Sequence, residues 1–303
     1  MDKVLVTSCN SYLGFSLSKF LLNEGFKLVG TFRRQNPRVT ILEKEFPETF
    51  VAVNVDLGTW NDFSKLPQGI NYVVHNSATY PWSNVTNEEV VICNVNGTLN
   101  LTKWINDYNK NIKKFILISS LSVYGKVENN YLNESTIKKS DDVYGVTKHL
   151  SEIIVNNDLN VDKKITIRLP VVLGYSAHRA WIPQAVEKLL LNEEVIIFNE
   201  KNKYNSLTTD IQLSRFVNSL LINEYKYSSI DVNIGASNAM TVFQIIDYLK
   251  NSLHSKSAIS NNVVDSPTYL IDSEKAINIG YTPPSVLDAL NHYIESLKLD
   301  IFK

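Results

Sequence analysis

Short apolar runs alternate with helical patterns along most of this 303-residue chain, and that alternation restricts its fold more than any other feature. Residues 4–7 (Val-Leu-Val-Thr) read as a strand. Residues 13–24 read as a helix with apolar positions at Phe15, Leu17, Phe20, Leu21 and Leu22. Gly25 then stands where a glycine in the left-handed conformation ends a helix. Further strand-like runs follow at 26–32, 50–55, Tyr72–His75, 115–119 and 165–169, with helical segments between most of them. Near-continuous β-branched runs separated by helices make a parallel sheet covered on both faces, each strand returning through a right-handed crossover. The predicted fold class is therefore α/β, a doubly wound parallel sheet. After Pro170 the rhythm loosens into a helix at 182–192, a strand at Val195–Phe198, a helix at 210–223, a short strand at 232–234 and helices at 242–253 and 286–297.

Composition excludes several classes. A formal net charge of −1 without a basic stripe excludes a nucleic-acid partner. Two cysteines, Cys9 and Cys93, are too few for a disulfide framework. No apolar stretch reaches the ~18 residues a membrane span needs, and no charged segment with an apolar run precedes the first strand. The expectation is a soluble, cytoplasmic protein with no membrane partner and no metal site.

The turn after the first strand, Thr7-Ser8-Cys9-Asn10-Ser11-Tyr12-Leu13-Gly14, stands where a dinucleotide fold holds a pyrophosphate on the free amides of a helix N-terminus. It resembles the TGxxGxxG turn of the short-chain dehydrogenase/reductase family, with Ser8 and Ser11 replacing two glycines and Gly14 kept for helix–strand packing. A Cβ at a positive-φ position costs roughly 1–2 kcal/mol, which the serine hydroxyls could offset by bonding phosphate oxygens. At the end of the second strand, Arg33 and Arg34 stand where NAD-preferring relatives place an acid on the ribose 2′-hydroxyl. Their planar donor forks suit the 2′-phosphate of NADP instead, so NADPH is expected and NAD less so. Asp56-Leu57 matches an adenine-contacting pair, and His75-Asn76-Ser77-Ala78 resembles the family's loop beside the cofactor. The fold is thus expected to be Rossmann-type. Residues 1–170 would form a dinucleotide-binding domain receiving elements from 205–235, and residues 171–204 and 236–303 a smaller C-terminal substrate-binding lobe.

The middle of the chain is the most specific. Residues 115–125, Phe-Ile-Leu-Ile-Ser-Ser-Leu-Ser-Val-Tyr-Gly, are followed by Tyr144-Gly145-Val146-Thr147-Lys148, the YxxxK pattern. On a helix, positions i and i+4 share a face, so phenol and ammonium enter one site. The ammonium should lower the tyrosine pKa from its ordinary value of about 10 and let it exchange a proton near neutrality. Together with Glu152, Arg168-Leu169-Pro170 and Asn94 in Asn-Val-Asn-Gly-Thr-Leu-Asn-Leu, these residues resemble an extended short-chain dehydrogenase/reductase of the nucleotide-sugar epimerase/dehydratase/ketoreductase branch over residues 3–297. The resemblance implies Ser120, Tyr144 and Lys148 as catalytic residues. It also implies Asn94, Ser119, Pro170 and Val172 beside the cofactor, Ser122, Val123 and Arg179 at the substrate, and a homodimer.

Which reaction follows depends on positions 121 and 122. Dehydratases of this branch carry Asp-Glu there, whereas Leu121 and Ser122 offer no acid at neutral pH. Epimerase-reductases carry Cys at position 122. The remaining expectation is NADPH-dependent reduction of the 4-keto group of a nucleotide-linked 4-keto-6-deoxy sugar. A 4-epimerase with bound NAD is the alternative, and a non-catalytic NADP-sensing module is a rival of another class.

Overall fold

A computed structural model describes residues 2–81, 84–178, 180–265 and 268–298. In chain order it forms β1 (Lys3–Val6), α1 (Tyr12–Asn23), β2 (Lys27–Phe32), α2 (Pro37–Glu45), β3 (Phe50–Asn54), β4 (Tyr72–His75), α3 (Asn87–Val91) and α4 (Gly97–Tyr108). The last two helices are joined by a π-helical segment, Ile92–Asn96. There follow β5 (Lys114–Ser120), β6 (Tyr131–Leu132), α5 (Val143–Asp158), β7 (Lys163–Leu169), β8 (Val171–Leu173), α6 (Trp181–Leu191), β9 (Val195–Phe198), β10 (Lys203–Tyr204) and β11 (Leu207–Thr209). The chain closes with α7 (Asp210–Ile222), β12 (Ser229–Asn233), β13 (Met240–Thr241), α8 (Val242–Ser252), β14 (Ile259–Asn262), β15 (Leu270–Ile271), α9 (Glu274–Ile277) and α10 (Val286–Lys298).

Packing divides the chain into two units. The first comprises Met1–Lys126, Thr136–Leu169 and Leu213–Val232, and the second Val127–Ser135, Pro170–Gln212 and Asn233–Lys303. A seven-stranded sheet in the order β12-β7-β5-β4-β1-β2-β3 organises the first unit. Its pairings from β3 to β7 are parallel. The order runs outward from β1 in one direction through β2 and β3, and in the other through β4, β5 and β7. The switch point therefore lies between β1 and β4, where a doubly wound sheet opens its ligand crevice. This is the Rossmann-type sheet expected from the sequence. Leu5, Val29, Val73, Leu101, Trp104, Phe115 and Val155 form one of its packed layers.

β12 begins three residues earlier than the apolar pattern indicates, because Asp231 interrupts the run. Ile230 and Val232 are buried and Asp231 is half-buried between them, so the strand follows a period of two. The second unit is built on α6, α8 and α10 around Ile182, Val186, Leu189, Ile245, Leu249 and Leu290. It carries short strand pairs: β8 with β11, β9 with β14, β6 with β15 and β10 with β13. Among the described residues, no helix is long and apolar enough to cross a membrane, and no cluster of three or more His, Cys, Asp or Glu is placed to hold a metal.

Candidate active site

Ser120 ends β5, and its side chain accepts from the Ser122 amide at 3.1 Å, capping the 3-10 turn Leu121–Tyr124. Tyr144 and Lys148 lie on the first two turns of α5, which Asp142 caps by accepting from the Gly145 amide at 2.9 Å. Gly145 is required for the approach of helix and turn: a Cβ there would lie 2.1 Å from Ser140 Oγ and 2.3 Å from the Ser122 carbonyl oxygen. With that contact closed, Ser120 lies close enough to Tyr144 to act on its hydroxyl. Of the trio read from the sequence, Ser120 and Tyr144 are neighbours, and Lys148 follows one turn later on α5.

The electrostatics differ from the expectation. Burial pushes the Tyr144 pKa up to about 12; Ser120 works against this, while Tyr80 and Asp142 add to it. Lys148 does not lower it, because the ammonium is directed elsewhere and donates to the Ile118 carbonyl oxygen at 2.7 Å. Burial pulls Lys148 itself down to about 8, against the pull of Glu152 and Cys93. The phenol therefore holds its proton firmly, and the lysine titrates just above neutrality.

Beneath the trio lies a buried ion pair. Arg168 Nε and Nη2 donate to the two oxygens of Glu152 at 2.9 and 3.0 Å, Nη1 donates to the Tyr124 hydroxyl at 2.9 Å, and Nη2 also reaches Asp231. Lys138 closes on Glu152 at 2.9 Å. Burial alone would raise the Glu152 pKa, but Arg168, Ser119 and Lys138 hold it below the ordinary carboxylate range. Ser119, expected beside the cofactor, is turned into this network instead, donating to Glu152 Oε1 at 2.6 Å.

At the switch point, Thr7 Oγ1 accepts from the Asn76 and Ser77 amides at 2.9 and 2.8 Å, tying the ends of β1 and β4 together. With its acceptor sites so used, its proton goes to His75 Nδ1 at 3.0 Å. His75 is thereby assigned as the Nε2–H tautomer, facing Thr98 Oγ1 at 3.1 Å. Burial, with Lys148 nearby, pulls the His75 pKa down to about 3 and keeps it neutral.

The phosphate turn fits a dinucleotide at some cost. Ser8 has φ 54, the conformation its glycine counterpart would adopt freely, and its hydroxyl donates to Ser77 Oγ at 2.9 Å. Ser11 has φ −73 and is unstrained. Its hydroxyl donates to the Ser8 carbonyl oxygen at 2.9 Å and accepts from Gly14 N at 3.0 Å and Asn76 Nδ2 at 3.1 Å. It is fully used as a helix cap and has no bond left for a phosphate, contrary to the expectation. A Cβ on Gly14 would lie 2.0 Å from the Ser8 carbonyl oxygen, so this glycine holds α1 against the turn. The first turn of α1 is the kind of helix N-terminus that holds a pyrophosphate in a dinucleotide fold, with Ser11 already capping its Gly14 amide.

Other expected positions scatter. Arg33 and Arg34 are exposed, with no ion pair for either guanidinium among the described residues. Their carbonyl oxygens accept from Asn54 and Asn10, and Arg38, which the sequence reading passed over, reaches the Asn10 carbonyl oxygen at 3.4 Å. Asp56 Oδ1 caps the Gly58 amide at 3.0 Å, Leu57 is buried in the core, and Ala78 is exposed. Val123 is fully buried, which corrects its expected place against the substrate: its side chain is core. The Asn94 amide is consumed internally, bonding Thr79 N at 2.7 Å, Thr79 O at 3.0 Å and Thr147 Oγ1 at 2.9 Å, so it clamps a loop rather than presenting itself to a cofactor. Pro170 and Val172 belong to the second unit. Arg179 lies outside the described residues. Tyr80 escaped the sequence reading altogether; its ring lies 4.8 Å from that of Tyr144, centroid to centroid.

A model of the NAD dependent epimerase/dehydratase family matches residues 4–207. The chain belongs to this family. It is an NAD(P)-dependent enzyme of the epimerase/dehydratase type. Among curated relatives, this family member is 24% identical over 316 residues to the uncharacterized protein MJ1055 of Methanocaldococcus jannaschii, covering 94% of this chain and 92% of that one. It is 24% identical over 267 residues to a CDP-abequose synthase of Salmonella muenchen, covering 86% and 84%. The UDP-glucuronic acid 4-epimerase of Bacillus cereus, solved in complex with NAD, shares the fold with a TM-score of 0.83 at 22% identity, over 99% of this chain and 100% of that one.

Proposed function

We propose that this epimerase/dehydratase-family enzyme reduces the 4-keto group of a nucleotide-linked 4-keto-6-deoxy sugar with NADPH. The observation that carries the reading is Tyr144: a phenol held protonated beside Ser120, with no carboxylic acid at positions 121 or 122. A reduction needs an acid at the carbonyl oxygen, and a phenol whose pKa is pushed up to about 12 is one at neutral pH. Without an acid beside it, the site has nothing to move protons at C5 and C6, as dehydration requires.

NADPH, when bound, supplies the hydride. Tyr144 gives its proton to the forming alkoxide oxygen, so that hydride and proton add across the C=O bond to leave a secondary alcohol. Ser120 hydrogen-bonds the same oxygen, and Ser122 supports Ser120 through their 3.1 Å contact. Lys148 orients the nicotinamide ribose and, with a pKa near 8, stands ready as a proton source one turn from Tyr144. Arg33 and Arg34, exposed and free of acidic partners among the described residues, take the 2′-phosphate. Arg179 is the residue proposed to contact the diphosphate of the sugar nucleotide.

A 4-epimerase with retained NAD is the second reading, favoured by the NAD carried by the Bacillus cereus neighbour. The experiment that separates them is identification of the dinucleotide that copurifies, followed by NADPH oxidation with UDP-, dTDP-, CDP- and GDP-linked 4-keto-6-deoxy sugars. Turnover of NADPH with one of them is expected. Retained NAD with interconversion of UDP-glucose and UDP-galactose, and no NADPH oxidation, would overturn the reductase reading.

A further inference from the structure

Tyr80 lies in the loop after β4, sixty-four positions before Tyr144, yet the two rings sit 4.8 Å apart with planes at 58°. That geometry is a favourable tilted aromatic contact. The loop is not free to carry Tyr80 away. The preceding residue, Thr79, is held at both its amide and its carbonyl by the Asn94 side chain, which also bonds Thr147 on the helix bearing Tyr144. Loop, π-helical segment and α5 are thus stapled together, and the staple fixes an aromatic side chain against the proton donor. Tyr80 is nonetheless 42% exposed, a large ring surface left open beside the reacting hydroxyl.

A pyranose presents apolar C–H faces between its hydroxyls, and these pack on aromatic rings in otherwise polar sites. A sugar whose C4 oxygen accepts the Tyr144 proton must bring its ring within one ring-width of that hydroxyl. Among the described residues, the exposed part of the Tyr80 ring is an aromatic surface at that distance.

We infer that Tyr80 is a substrate-contacting residue whose exposed ring face packs against the pyranose of the sugar nucleotide while Tyr144 meets its C4 oxygen. The inference rests on the proposed function for the identity of the substrate class, and it adds a residue which that reading does not use. Tyr80 acts on the sugar and not on the dinucleotide, so its removal separates the two binding events.

The test compares wild type, Tyr80→Phe, Tyr80→Leu and Tyr144→Phe. Binding of the nucleoside diphosphate alone and of the matching nucleotide sugar is measured by calorimetry, and of NADPH by fluorescence quenching. In the wild type the sugar adds an increment of affinity over the bare diphosphate. Tyr80→Phe should keep that increment, whereas Tyr80→Leu should reduce it by roughly tenfold and raise KM for the sugar nucleotide more than it lowers kcat. NADPH affinity should stay within about twofold of wild type in all three variants. An unchanged increment in Tyr80→Leu would overturn the inference alone, as would a parallel loss of NADPH affinity, the mark of a merely displaced loop. Failure of UDP-, dTDP-, CDP- and GDP-sugars all to bind would overturn both the inference and the functional reading. Full activity in Tyr144→Phe would overturn the functional reading while leaving the sugar increment to decide on Tyr80.

Discussion

Lys148 donates its ammonium to the carbonyl oxygen of Ile118, 2.7 Å away and thirty positions earlier in the chain. That bond and burial, rather than an approach to Tyr144, set the resting state of the site. Burial depresses the lysine to about 8, so it is charged below that pH and neutral above it. If the charged form orients the ribose and supplies the proton, kcat/KM for reduction should be flat from neutrality to about pH 8 and then fall tenfold per unit. A pH–rate profile checks this; a limb governed by Tyr144 would instead lie far higher.

Tyr144→Phe removes the proton donor and keeps the ring. Turnover should fall roughly a hundredfold or more, while NADPH affinity measured by fluorescence titration stays nearly constant. Equal losses in both would place the phenol in cofactor binding instead.

Ser8 and Ser11 should respond in opposite directions. Ser8 carries the strained φ of 54, so Ser8→Gly is expected to stabilise the fold by up to about 1 kcal/mol, less what its bond to Ser77 contributes. Ser11 is an unstrained cap, and Ser11→Ala should cost about 1 kcal/mol. Urea unfolding of the two variants reads both signs.

His75 links the fold to pH. Its folded-state pKa of about 3 lies below the unfolded value of about 6.5, so the unfolded chain binds the extra proton between them. Stability contributed by the neutral imidazole is complete above about pH 6.5 and is lost as pH falls through that window, at roughly 1.4 kcal/mol per unit. Unfolding free energies of the wild type between pH 4.5 and 7 should show this slope, and His75→Asn should flatten it.

Val146, Leu150 and Ile153 are exposed at spacings that share one face of α5, and Leu99 is exposed on α4 beside it. The expected homodimer would cover this apolar stripe. Val146→Glu with Leu150→Glu should therefore give a monomer by sedimentation while Ser120, Tyr144 and Lys148 remain in place; a wild-type protein already monomeric at micromolar concentration would refute the interface.

The sheet was legible because its strands are buried on both faces and announce themselves as apolar runs, and the trio because Tyr144 and Lys148 are spaced by one helical turn. What stayed hidden depends on where side chains turn. Ser119 and Ser120 are neighbours of identical chemistry, but alternation along β5 sends one hydroxyl to Glu152 and the other to Ser122, on the Tyr144 side. Leu57 and Val123 sit inside patterns associated with ligands, yet both are core. Tyr80 carries no motif, since its meaning arises only from a contact across sixty-four residues.

The π-helical segment makes the enzyme sensitive to chain length at this point as well as to the identity of Asn94. Five residues, Ile92–Asn96, accommodate one more position than a regular helix would between α3 and α4. Deleting any one of them would let an uninterrupted α-helix form, an outcome favourable for the helix itself. It would also shift the register of the remaining residues of the segment, each moved position turning by roughly 100° about the axis. The Asn94 amide would swing off Thr79 and Thr147, and the loop carrying Tyr80 would be released. A single in-frame codon loss should thus leave a folded protein with an uninterrupted helix here, one that has lost its grip on substrate much as substitution of Asn94 would.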